Sequence, residues 1–350
     1  MWTLIVKEFR QVRRDRRTVA MIIVMPLILL VVFGYAASFD VERVSALAVG
    51  PGAGDLSGKL PDFFDIERTL EDGSRSTAVD ELRGGHADVA FVTGPSPEVL
   101  IDGSSLFSAR STLTALGRMQ DAPEATVLFN PRLDTSTVMV PALAGMILIF
   151  IGGMITSLGV VRERQTGTLE QLAVMPFRPR DVFVGKIAPY FVLAAIDLTV
   201  ILAAGSWLFD VPFRGSYLVF TVGALLFLFV TLGLGVLIST VSQNQGQAIQ
   251  LALMTLLPQV LLSGMIFPLE SMAAGIRWIA YLLPLTYFID LARAIMIRGA
   301  PVDSVVFSMT MLTGLGLAVF TLALIRFRRD LAPSARRKLR SLKPVEEVAS

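Results

Sequence analysis

The sequence predicts an α-helical membrane protein with six transmembrane helices and an N-terminal interfacial helix. A re-entrant helical pair precedes the last span, and a small extracytoplasmic α/β domain lies between spans 1 and 2. Three observations carry this. Mean hydropathy is +0.65, and charged residues make up only 17% of the 350, against roughly 25% in soluble domains. Six apolar stretches, 19–38, 139–161, 187–208, 217–240, 249–267 and 305–325, match the ~20 residues that a helix needs to cross a hydrocarbon core. Charge is also split. Residues 39–138 hold 16 acids against 8 bases, net −8, whereas the remainder holds 13 against 23, net +10. One chain thus addresses two environments.

Residues 1–18 come first. Trp2, Ile5, Phe9 and Val12 repeat at helical spacing, with Lys7, Arg10, Arg13 and Arg14 mostly on the other side. The pattern suits a helix lying on the inner leaflet with its arginines among anionic headgroups. A basic flank that only sets topology is the plainer alternative. Ala36, Ala37 and Ser38 resemble a signal-peptide cut site, but the apolar run 19–38 is longer than the 7–15 residues of such a core. It is expected to stay as span 1.

Residues 39–138 are expected to fold as the outer domain. Residues 44–49 and 87–92 have the apolar runs of buried strands, with 98–101 and 126–129 as shorter candidates. Residues 76–83 and 106–119 suit helices, and Pro51-Gly52, Asp72-Gly73, Gly84-Gly85 and Asp102-Gly103 mark turns. A domain of ~100 residues can hold its own core. Within it, residues 50–60 imitate a phosphate-binding loop. Ala53 and Leu60 occupy the places where that loop needs Gly and Ser or Thr. The segment reads as a turn, and any nucleotide must bind a separate chain.

Between spans 2 and 3 lies a short polar segment, 162–186, carrying Arg162, Arg164, Arg178, Arg180 and Lys186. A short basic loop between spans faces the cytoplasm. Both ends of the chain are also basic, including the tail 326–350, so an even number of spans leaves both termini inside. Residues 168–174 lack Gly and Pro and can form a helix against the membrane, a handle for a cytoplasmic partner. An ordinary basic loop is the bland alternative.

Asp197 sits near the middle of span 3, where a carboxylate must face the bundle, find a partner or stay protonated. It serves either a translocation path or a helix-to-helix hydrogen bond, with Thr199 or a partner subunit as the other half. Residues 268–298 contain two short amphipathic pieces split by Pro284, each too short to cross alone. This predicts a half-helix pair entering from outside and returning. Trp278, Tyr281 and Tyr287 suit the headgroup zone, and Phe267 and Pro268 open the segment. Such a pair is either an outer gate or packing.

Several chemistries are excluded. There is no cysteine and one histidine, His86, so a thiolate or His cluster cannot be assembled for metal or nucleophilic catalysis. No serine or carboxylate shows catalytic spacing. Neither an enzyme nor a nucleic-acid partner is expected.

Taken in order, RERQTGTLEQLAVMPFRP and GKIAPY, then GVLISTVSQNQGQA, then LLSGMIFPLESMAAGIRWIAYLLPLTYFIDLARAI, resemble the permease subunit of ABC-2-type (type V) ATP-binding-cassette exporters, in their bacterial drug-export branch. LRGGHADVAFV and LIDGSSLFSA in the outer domain are similar to the family as well, although this domain is shorter around residues 94–98. The resemblance spans nearly the whole chain and carries no substrate identity. It implies a bacterial plasma-membrane protein that pairs with a second permease copy or paralogue. Each copy would bind one cytoplasmic ATPase subunit, which holds ATP and Mg, while this chain binds no cofactor. Residues 163–175 would be the coupling helix in the ATPase cleft, with Glu163, Gly167, Thr168, Glu170, Gln171 and Leu172 as its contacts. Asp197, Phe267, Pro268, Trp278 and Tyr287 would serve the path or gate for a hydrophobic or amphipathic compound such as a drug, antibiotic or lipid. A membrane-anchored surface receptor or envelope-assembly protein with no ATPase is the alternative, and a neighbouring cassette-ATPase gene separates the two.

Overall fold

The structure, a computed structural model, describes residues 43–166 and 179–331 except 57, 59 and 120–122, together with a few isolated positions before 43. The predicted interfacial helix, the first span, Gly167, Thr168, Glu170, Gln171 and Leu172 of the coupling segment, and most of the basic tail lie outside the described residues.

Five strands form one mixed sheet: β1 (Val44–Val49), β2 (Phe64–Leu70), β3 (Val89–Val92), β4 (Glu98–Asp102) and β5 (Glu124–Leu128), in the order β2-β1-β3-β4-β5. Only the β3–β4 pair is antiparallel. Alternation assigns the two faces. Val44, Ala46, Val89, Phe91, Val99 and Ile101 pack with Ala109 and Leu116 of α2 (Leu106–Leu116). Leu47, Val49, Ala90 and Leu100 pack with Ala78 and Leu82 of α1 (Arg75–Gly84). The sheet is therefore covered by one helix on each face, so its inner strands are buried on both sides and read as continuous apolar runs. Within the residues that imitate a phosphate loop, Pro51 and Gly52 form a turn that leads into a short 3-10 helix, Ala53–Leu56. Gly50 has φ +110°, and a Cβ there would lie 2.5 Å from the Thr93 carbonyl oxygen.

The chain leaves the sheet through a locked corner. Buried Asn130 donates from Nδ2 to the Gly103 and Asp134 carbonyls and accepts from the Asp134 amide at 3.1 Å. This orients α3 (Thr135–Leu148), which runs through a wide π turn, Ile149–Gly153, into α4 (Met154–Gln165). The remaining helices are α5 (Pro179–Phe209), α6 (Tyr217–Val241), α7 (Gln245–Leu262), α8 (Ala274–Ala280), α9 (Pro284–Ala292, continuing as a π turn to Arg298) and α10 (Val306–Leu331).

Four helical runs among the described residues are long and apolar enough to cross a membrane: Thr135–Gln165, Ala188–Phe209, Tyr217–Val241 and Val302–Arg326. The predicted fifth span, 249–267, is the 18-residue α7, which contains Pro258 and four glutamines and ends at Ser263. In the apolar stretch of α6, 61% of residues are buried within the protein, against 17% for α5 and 22% for α10. α6 is therefore the axle, and α5 and α10 turn large apolar side chains such as Leu193, Ile196, Val200 and Leu317 outward. Without lipid, that surface would far exceed what a soluble monomer exposes.

Close approach around the axle needs glycine, as in membrane bundles generally. A Cβ on Gly145 would lie 2.6 Å from Phe288, and one on Gly235 would lie 2.7 Å from the Gly153 carbonyl oxygen in the π turn. α9 fills the space so created. Leu285, Phe288, Ile289 and Leu291 are each at most 2% exposed, and the Phe288 ring stacks on Phe227 at 4.3 Å. The second half of the predicted re-entrant pair is thus core. Pro284 starts this helix at a position where a missing N–H is harmless.

Candidate functional site

Three of the predicted site residues line cavities, Glu163 in one region and Pro268 and Tyr287 in another. At the base, Glu163 sits on the last turn of α4, in a cavity of about 270 Å³ bounded by Gly159, Val160, Gly185, Pro189 and Tyr190. Gly159 has no side chain because the Tyr190 hydroxyl of α5 occupies that space. Arg164 Nη1 donates to the Ser242 carbonyl at 3.0 Å, and Gln245 Nε2 donates to Gln165 Oε1 at 3.1 Å. The end of α4 is thereby fastened to α5 and to the corner between α6 and α7. Any force on residues 163–166 reaches three helices at once.

At the other end, a cavity of about 290 Å³ lies between the sheet and the segment 263–308. The sheet side contributes Asp88 and Asp102, with Ser105 and Ser108 from α2; the helical side contributes Glu270, Asp290, Arg293 and Arg298, with Tyr281, Tyr287 and Phe307. Asp102 is 1% exposed and accepts from the Ser104 amide at 2.8 Å and the Ser104 hydroxyl at 2.9 Å. Arg298 reaches it at 3.5 Å and Asp290 at 3.9 Å, while Ser308 donates to Asp290 at 2.6 Å. Gly85 lies below this arginine with φ +75°, a left-handed backbone that favours glycine. Arg293 donates to the Gly264 carbonyl at 3.0 Å.

Asp88 has no arginine of its own in this set. It is half-buried, and its carboxyl is pushed up from 3.8 to about 7, chiefly by desolvation and then by the negative charges of Glu270 and Asp102, against lowering hydrogen bonds from Ser108 and Ser105. Near neutral pH it is a carboxyl poised between its two forms.

The predicted gate residues divide. Pro268 and Tyr287 line this cavity, and Tyr287 is 4% exposed, with its hydroxyl donating to the Tyr281 carbonyl at 2.6 Å. It belongs to the core, and not to a headgroup belt as its residue type suggests. Trp278, 58% exposed, faces outward, with its Nε1 donating to Gly275 at 3.0 Å. Phe267 is buried with Leu261, Leu262 and Met272, away from any cavity described here. Asp197 lies on α5 beside the buried Ala194 and Leu198. Thr199 does not pair with it, because the Thr199 hydroxyl bonds to the Ala195 carbonyl one turn back. Asp197 Oδ2 is buried without a hydrogen-bond partner among the described residues. Nor does it line the apolar cavity of about 400 Å³ between α5 and α6, where Leu198, Thr199, Leu202 and Phe220 face one another.

Sequence patterns miss Asp88, Asp102, Glu270 and Arg298 as partners. Charges placed close together in an otherwise apolar segment, Asp290, Arg293 and Arg298, signal that counter-charges exist somewhere. They cannot say that one lies 196 positions away at Asp102. His86 is a surface residue 2.9 Å from Glu81, and no cluster of metal-ligating side chains occurs among the described residues.

Known proteins place this architecture. The family model described as ABC-2 family transporter protein matches residues 16–325. The chain is 28% identical to the Escherichia coli protein named probable multidrug ABC transporter permease YbhR, covering 95% of this chain and 99% of that one. It is 30% identical to the E. coli probable multidrug ABC transporter permease YbhS, over 85% and 88% of the two chains. Half of it also matches Dictyostelium discoideum ABC transporter G family member 20 at 29% identity, over 24% of that longer protein. The match takes in the sheet, the axle helix and all three cavities, and the chain belongs to the ABC-2 family of transporter proteins.

Proposed function

We propose that this chain is the permease subunit of an ATP-driven exporter of hydrophobic or amphipathic compounds. The observation that carries the proposal is family membership over residues 16–325. Relatives named as multidrug permeases align along nearly their full length. In this proposal the chain crosses the membrane six times, with residues 19–38 as the first crossing and α7 as the fifth. The sheet domain, 39–138, lies outside, residues 268–298 form the outer re-entrant pair, and both basic ends (1–18 and 326–350) lie in the cytoplasm. Two permeases, identical or paralogous, enclose the path in the plasma membrane. Each engages a separate ATPase that binds ATP and Mg, leaving this chain without a cofactor or a catalytic role.

Coupling would act through residues 163–175. The ATPase pushes on Glu163, Gly167, Thr168, Glu170, Gln171 and Leu172. The bonds from Arg164 to Ser242 and from Gln245 to Gln165 then carry the displacement into α6 and α7, because packed elements move as units. At the outer end, Pro268 and Tyr287 border the cavity under the sheet, with Trp278 and Phe267 in the same segment, and Asp197 serves the path from α5.

The test is purification of the tagged chain in a maltoside detergent, followed by identification of the co-purifying ATPase and of compounds that stimulate it. Glu170→Lys and Gly167→Leu should abolish stimulated ATP hydrolysis and export while the chain remains in the membrane. Unchanged export by both variants refutes the coupling role, and a chain that exports with no ATPase attached refutes the proposal.

A further inference from the structure

The junction cavity does more than hold two parts together. Its wall carries four carboxylates, Asp88, Asp102, Glu270 and Asp290, against two guanidinium groups, Arg293 and Arg298. Arg298 is committed to Asp102 and Asp290, and Arg293 is fastened to Gly264. With Asp88 ionised, the wall therefore carries two negative charges in excess, and Asp88 is the carboxylate left facing other carboxylates. That repulsion is relieved by the proton that Asp88 holds below about pH 7 or, above it, by a counter-charge.

Three further features point to an occupant from outside the chain. The volume, about 290 Å³, approaches that of small-molecule sites. Ser263, 1% exposed, lines the cavity with a hydroxyl that has no hydrogen-bond partner among the described residues. Tyr281, Tyr287 and Phe307 also line it, and aromatic rings attract cations. Tyr281, 49% exposed, and Asp290, whose side chain is 50% exposed, mark the mouth.

We infer that the cavity between the sheet and α9 is a binding site for a small organic monocation, held by the Asp88 carboxylate and the aromatic rings. A metal ion fits poorly, since the acids do not converge on a point among the described residues. An anion would meet the surplus negative charge. The site stands independently of the exporter proposal, since it requires neither an ATPase nor transport.

The charge state of Asp88 supplies the test. Facing it are Glu270 from the segment before α8, Asp102 from the end of β4, and the hydroxyls of Ser105 and Ser108 from α2; Asp290, Arg293 and Arg298 share the cavity. Only the ionised form attracts a cation, so affinity should rise about tenfold from pH 6 to pH 8 for a carboxyl titrating near 7. The probe is benzyltrimethylammonium, whose charge does not change with pH, titrated calorimetrically into the full chain in maltoside micelles. Benzyl alcohol serves as the neutral control.

The expected result is binding of the cation with that pH dependence and no binding of the alcohol. Asp88→Asn should lose at least tenfold in affinity at pH 8 and flatten the profile. Glu270→Gln, which removes a neighbour that raises Asp88, should move the midpoint to lower pH. No cation binding at millimolar concentration, equal binding of the alcohol, or an affinity indifferent to pH overturns the inference. Should Asp88→Asn fail to fold, an unmoved midpoint in Glu270→Gln overturns it on its own.

Discussion

Replacing Asp88 with asparagine should make the protein more stable at pH 8, an unusual outcome for a polar residue at a domain junction. In the unfolded chain the carboxyl loses its proton near 3.8; in the folded protein it does so at about 7. Between these values the unfolded state has released a proton that the folded state retains, so folding weakens as pH rises. The deficit is absent below about pH 4 and complete above about pH 7. Each pH unit is worth about 1.4 kcal/mol, which gives roughly 4 kcal/mol at pH 8 and about 1.5 at pH 5. Because Asp88 is half-buried, solvent screening reduces the larger figure to something on the order of 2–4 kcal/mol. Asparagine has no charge to desolvate and its amide oxygen can still accept from Ser105 or Ser108. Thermal unfolding of both proteins in micelles, at pH 5 and pH 8, is the assay. The variant should unfold several degrees higher at pH 8, with a smaller margin at pH 5. A variant less stable at pH 8, or a margin independent of pH, refutes the electrostatic account.

Other consequences are equally direct. Gly235→Leu would drive a side chain into the π-turn backbone at Gly153 and should destabilise by about 1–3 kcal/mol. Gly314→Ala, with open space around it, should be neutral in the same thermal assay. Asp102→Leu leaves the Arg298 guanidinium, whose side chain is only 10% exposed, with Asp290 at 3.9 Å as its remaining carboxylate. It should cost about 3 kcal/mol or more, part of which returns in Asp102→Leu/Arg298→Met when midpoints are compared.

How much of this was legible depends on what each segment buries. Residues 44–49 were readable as β1 because both faces of that strand are covered. β2, FDIERTL, carries no apolar run because it is an edge strand in which only Phe64 is buried, so Asp65, Glu67 and Arg68 erase the signal. Four of the six apolar stretches coincide with helical runs long and apolar enough to cross a membrane, but α3 begins at Thr135 rather than 139, since the Asn130 corner and not hydropathy sets its start. α9 was legible as a helix but not as core, because Asp290 and Arg293 imply a wet face until their partners are known. Of the expected gate residues, Pro268 and Tyr287 meet at one cavity, whereas Phe267 and Trp278 point elsewhere. Residue type alone could not separate them.

The wide turn at Ile149–Gly153 has a consequence for how substitutions in this helix should be compared. The extra residue of a π turn is absorbed within that turn, so the α-helical residues on either side keep the alignment of one continuous helix. Alignments that place a one-residue gap within 149–153 therefore preserve the facing of 154–165, whereas a gap elsewhere in the helix shifts it by ~100° about the axis. A one-residue deletion in that turn would let it close as an ordinary α turn and leave Glu163 and Arg164 near their present azimuth.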